Sequence, residues 1–113
     1  MRNGHQVNTR HRKRIQLRYG FDTAKRIGFT EDINAEGFFI KTGHVEKPGS
    51  LMQIELTMPD GHLVELMGRV CWAKKVPANL LHRIKGGMGI RISSFKSGEA
   101  AYRSFCEDLN SRY

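Results

Sequence analysis

LMQIELTMPDGHLVELMGRVCW, residues 51–72, decides the fold class. Met52, Ile54, Leu56 and Met58 share one parity, and Gln53, Glu55 and Thr57 share the other. A strict period of two is the signature of a strand with one buried face. Pro59-Asp60-Gly61 is turn chemistry, and beyond it the alternation resumes. Val64, Leu66, Val70 and Trp72 lie on one parity there, with Glu65, Met67, Arg69 and Cys71 on the other. The stretch is a β-hairpin with one core-facing side, and it places Trp72 on that side.

The same period extends outward from the hairpin. Ile15, Leu17 and Tyr19 alternate with Gln16 and Arg18 in a first strand. A second strand sets Ile27, Phe29 and Ile33 against Thr30, Asp32 and Asn34. Gly37 opens a third run through Thr42, and His44–Ser50, with Pro48-Gly49, reads as a loop. Pro77–Gly87 is a polar connection, after which Met88, Ile90 and Ile92 alternate with Gly89 and Arg91. The period then becomes helical. Ser97 is the expected N-cap, and Ala101, Tyr102, Phe105, Cys106 and Leu109 recur as one apolar stripe. The expectation is an all-β domain, a small six-stranded antiparallel β-barrel with a C-terminal α-helix. Closure removes the exposed sheet edges.

The 113 residues hold one domain with room for one modest core. Nothing approaches the roughly 18 consecutive apolar residues of a membrane span. No apolar run follows the basic N-terminus, so it does not read as a signal peptide. Cys71 and Cys106 show no metal-ligand spacing and fall in apolar patterns, which points to a reduced, cytoplasmic protein. The five histidines share no metal spacing and read as surface residues, so no metal site is expected.

Charge is distributed unevenly. Residues 1–26 carry eight basic side chains against one acid, Asp22, and so hold +7 of the net +8. Residues 1–13 are polar, basic and aperiodic, and read as a flexible arm preceding a barrel over 14–113. Such a field points to an anionic partner at one end of the molecule. Two patches supply specific chemistry. Arg10-His11-Arg12-Lys13-Arg14 is an RxxxR at the junction of arm and first strand. Asp32-Ile33-Asn34-Ala35-Glu36-Gly37 lies at a turn between strands. With Ile33 pointing inward, alternation sends Asp32 and Asn34 out together, an acceptor beside a donor–acceptor, suited to a guanine edge. Gly37 suits a positive-φ turn or a close ligand approach.

RxxxR, then DxNxxG, then GFFIKT, PGSLMQIELTMPDG, GRVCWAKK and GGMGIRI together resemble the PilZ domain family, from about Arg10 to Leu109. The resemblance implies a six-stranded barrel with an attached helix that binds cyclic di-GMP without turnover. It assigns Arg10 and Arg14 to phosphates and guanine stacking, Asp32 to a guanine edge, and Gly37 to the motif glycine. Asn34 stands where the family usually has Ser. Arg12, Lys13 and Trp72 are further candidate contacts. A downstream protein partner is implied, and no cofactor is expected.

Other classes find less support. No nucleophile motif, placed carboxylate pair or phosphate-binding glycine loop is present, so no catalytic residues are assigned. A nucleic-acid-binding barrel would offer several outward aromatics for base stacking, and only Phe39 clearly has that parity. A PilZ-like adaptor that contacts proteins without nucleotide is the principal alternative.

Overall fold

The computed structural model describes residues 10–112. Alternation in the central hairpin translates directly into burial. Met52, Ile54, Leu56, Met58, Val64 and Leu66 are all at most 3% exposed. All but Met58 belong to β5 (Leu51–Thr57), which Met58 directly follows, and β6 (Leu63–Lys74), paired antiparallel from Leu51↔Arg69 to Thr57↔Leu63.

Four further strands complete a closed ring: β2 (Gln16–Gly20), β3 (Arg26–Asn34), β4 (Gly37–Lys41) and β7 (Gly87–Ser97). Its order is β2-β5-β6-β7-β4-β3, and β3 pairs back onto β2. This is the expected six-stranded antiparallel barrel. A seventh, two-residue strand, β1 (His11–Arg12), pairs with the far end of β3 through His11↔Ile33 and Arg12↔Asp32. Pairing thus begins before residue 14, inside the stretch read as an arm. Residues 1–9 lie outside the described residues.

β1 and β2 lie along one edge of β3, and the break between them is stitched by Thr30. This 2%-exposed residue donates from Oγ1 to the Lys13 carbonyl at 2.6 Å and accepts from the Ile15 N–H at 2.8 Å. Lys13 N–H also donates to the Glu31 carbonyl, and Thr30 N–H to that of Ile15.

The last helix, α1 (Glu99–Arg112), inserts Tyr102, Cys106 and Leu109 into the barrel's core cluster, as its stripe predicts. Ser97 does not cap it. β7 runs through Ser97, whose Oγ donates to Glu65 Oε1, and Gly98 holds the capping position with its carbonyl accepting from Tyr102 N–H.

Parity expectations are corrected in two strands, β3 and β6. A register shift between Thr30 and Asp32 reverses the faces along β3. Ile27 is therefore 55% exposed and Thr30 buried, while Ile33 keeps its place in the core. A second shift, between Val70 and Trp72, turns Trp72 outward to 46% exposure. One inserted residue is enough, because side chains alternate with a period of two. Cys71 is exposed as well, so only Cys106 is a buried hydrophobe.

Candidate ligand-binding face

Strand pairing lines up one row of residues across five strands. Arg12 pairs with Asp32, Asp32 with Phe39, Phe39 with Gly89, and Gly89 with Trp72. Directly opposed residues share a face, and Arg12 and Trp72 are exposed, so this row lies on the barrel exterior. The adjacent row, His11, Ile33, Phe38, Ile90 and Val70, faces inward. His11 there meets Asn110 of α1, with Nε2 2.7 Å from Oδ1, and is not the simple surface residue its polar setting implies.

Arg10 reaches the outer row from the start of β1. Its guanidinium donates to Asp32 Oδ1 at 2.7 Å, an ion pair spanning 22 residues of sequence. Arg14 goes to another residue of β3. Its guanidinium carbon sits 4.0 Å from the Phe29 ring centroid, a cation–π contact. The structure therefore brings Arg10, Arg12, Arg14 and Asp32 onto one outer surface, with Lys13 half-buried between the arginines.

Phe39 and Trp72 extend that surface. Their rings stack with centroids 5.2 Å apart and planes 24° apart. Lys85 covers Phe39 as well, with Nζ 4.6 Å from the ring centroid, and lies 3.4 Å from Glu31. Phe39 has the outer parity its position predicts but is only 1% exposed under these covers. Gly89 makes the stack possible, since a Cβ there would fall 2.3 Å from the Trp72 indole nitrogen.

Asn34 and Gly37 depart from expectation. Asn34 is 7% exposed, and its Oδ1 accepts the N–H groups of Glu36 and Gly37 at 2.8 and 3.0 Å. This is the local turn bonding that Asn favours. It is not an outward partner of Asp32: the two keep one ladder parity, Asp32↔Phe39 and Asn34↔Gly37, but the Asn34 carboxamide folds back onto the turn. The Asn34 carbonyl accepts the Tyr102 hydroxyl at 2.6 Å, tying turn to helix. Burial pushes the Tyr102 phenol well above its ordinary range, so its O–H remains a donor. Gly37 is outside the positive-φ glycines. It must be glycine because a Cβ would lie 1.9 Å from the Ile90 carbonyl oxygen of β7.

Phe29, Lys85 and Gly89 were not singled out as site residues from sequence. The GGMGI run carried a usable signal, a glycine at an outward strand position, which invites a neighbouring ring to lie across it. Among the described residues, no group of three or more His, Cys, Asp or Glu could hold a metal ion. No described helix is long and apolar enough to cross a membrane.

The PilZ domain family model matches residues 6–105. The chain belongs to the PilZ domain family. Two solved structures show the fold of this PilZ domain in other settings. One is the Bacillus subtilis inhibitor of motility, MotI/DgrA, with a TM-score of 0.73 at 15% identity. That likeness covers 91% of this chain and 49% of MotI/DgrA, so the chain spans about half of that protein. The other is the PilZ domain of CeSA from a cellulose-synthesizing bacterium. It has a TM-score of 0.52 at 19% identity, with 92% of this chain and 96% of that one covered. No curated protein matches the chain.

Proposed function

We propose that this PilZ domain is a cytoplasmic receptor for cyclic di-GMP, which it binds without turnover and reports to a protein partner. The observation that carries this reading is the Arg10–Asp32 pair, set beside Arg14 on one outer face of the barrel. Cyclic di-GMP presents two anionic phosphodiesters and two guanine edges, each edge with adjacent N–H donors. Planar guanidinium groups suit phosphate oxygens, and an ionised carboxylate suits paired donors.

The ion pair makes the exchange inexpensive. Arg10 is 44% and Asp32 21% exposed, and a pair this open to water contributes only about 0–1 kcal/mol. A phosphate can take the Asp32 place on Arg10, which frees the carboxylate for guanine. Arg14 supplies the second phosphate contact, Arg12 and Lys13 deepen the positive field, and Trp72 offers an exposed ring for stacking. Asn34 and Gly37 act beneath the surface, shaping the turn that follows Asp32 and its strand.

Titration calorimetry tests this directly. Cyclic di-GMP should bind in preference to GTP, cyclic AMP and single-stranded oligonucleotide. Arg14→Ala should lower affinity at least about tenfold, the worth of one hydrogen bond to a charged group. An unchanged dissociation constant in that variant would remove the proposed site. The adaptor reading has one observation in its favour: the Asn34 oxygen is committed to the turn instead of facing a ligand. Wild-type protein that binds no nucleotide would decide for the adaptor, and saturation by the oligonucleotide for a nucleic-acid barrel.

A further inference from the structure

Beside the Arg10–Asp32 pair, and sharing Arg12, Lys13 and Arg14 with the proposed nucleotide site, lies a groove of about 850 Å³ that extends to Lys41 and Leu81, which that site does not use. Phe29 and Leu81 supply apolar lining, and Arg12, Lys13, Arg14 and Lys41 supply cations. No ion pair among the described residues involves any of these four cations. The one carboxylate at the groove, Glu31, already faces Lys85 at 3.4 Å. An apolar floor under an uncompensated basic rim is complementary to an acidic chain with an apolar anchor.

A nucleobase fits this groove poorly. The Thr30 hydroxyl is spent on Lys13 and Ile15, so it does not read a base edge. An aliphatic or aromatic side chain needs only the Leu81 surface, and flanking carboxylates meet the rim. We propose that this groove docks an acidic peptide segment of a partner protein, anchored by one leucine or phenylalanine, and that Arg14 couples docking to the nucleotide. Docking stands without the nucleotide reading; the coupling rests on it. One guanidinium cannot serve a phosphate on the outer face and a carboxylate in the groove together. Each ligand therefore weakens the other by the same factor.

Display selection of random peptides on the full chain, followed by fluorescence anisotropy of the best binder, tests the proposal. The expected consensus is Asp and Glu around one Leu or Phe, with affinity falling as salt rises. Lys41→Glu should weaken that peptide about fivefold, the effect expected of reversing one rim charge. It should leave cyclic di-GMP binding unchanged, since Lys41 is outside the nucleotide site. Leu81→Ala should weaken the peptide by removing its anchor contact, and circular dichroism would confirm the fold of both variants. A consensus without acids, or equal affinity for both variants and wild type, overturns the docking site. Two cyclic di-GMP molecules per chain, with one lost in Lys41→Glu, would reassign the groove to nucleotide. Peptide affinity unmoved by saturating cyclic di-GMP overturns the coupling alone. No nucleotide binding at all, with the acidic consensus intact, removes the receptor reading and leaves the docking site standing.

Discussion

Thr30 shows how much one buried hydroxyl can organise. It substitutes for the ladder bonds missing where β1 gives way to β2, and Arg14 lies between the two residues it holds. Thr30→Val keeps the shape and removes the hydroxyl, leaving the buried Ile15 N–H without its acceptor. Stability should fall by about 1–3 kcal/mol in urea denaturation. Cyclic di-GMP affinity should fall with it, because Arg14 loses its anchor points; a variant as stable as wild type would show that the stitch is dispensable. The two cysteines offer a second residue-level check. Burial pushes the Cys106 thiol up to about 11, which lowers its thiolate fraction, whereas Cys71 is exposed. Iodoacetamide at mildly alkaline pH should modify Cys71 alone in the native protein, and Cys106 only in denaturant, as read by mass spectrometry. Equal labelling of both in the native state would contradict the packing of α1.

Among the elements, β4, β7 and β6 act together through Phe39, Gly89 and Trp72. The small central strand residue lets two rings from non-adjacent strands meet over it. Gly89→Ala would place a methyl against the indole and lift it off Phe39. The loss of an aromatic pair costs about 0.5–1.5 kcal/mol. Trp72 is the only tryptophan, so its emission should shift to the red in this variant. An unaltered spectrum would refute the stack. The helix is joined to the same face from behind, through Tyr102 to the Asn34 carbonyl and Asn110 to His11. The end of β3, two residues beyond Asp32, and β1, between Arg10 and Arg14, are thus both held by α1.

At the scale of the whole molecule, closure depends on β4 pairing with both β3 and β7. Gly37→Ala tests that closure where the β7 backbone approaches most tightly. Overpacking costs about 1–3 kcal/mol, and here the obstacle is a carbonyl instead of a movable side chain, so the upper end or beyond is expected in urea denaturation. A variant with wild-type stability would mean that β4 and β7 are not held this closely. Strand alternation, the Pro59–Gly61 hairpin, the helical stripe, RxxxR and DxNxxG were all legible in the chain, as was the barrel they compose. Sequence alone determined these because they are local: period, turn chemistry and motif spacing depend on near neighbours. Only the tertiary structure decided that Asn34 turns inward, that Trp72 turns outward, that Phe39 is covered, and that Arg10 meets Asp32. The physical reason is register for Trp72 and its cover over Phe39, β1–β3 pairing for Arg10 and Asp32, and local turn bonding for Asn34. Each shift in a ladder reverses every face beyond it, and partner strands, distant in sequence, determine where the shift falls.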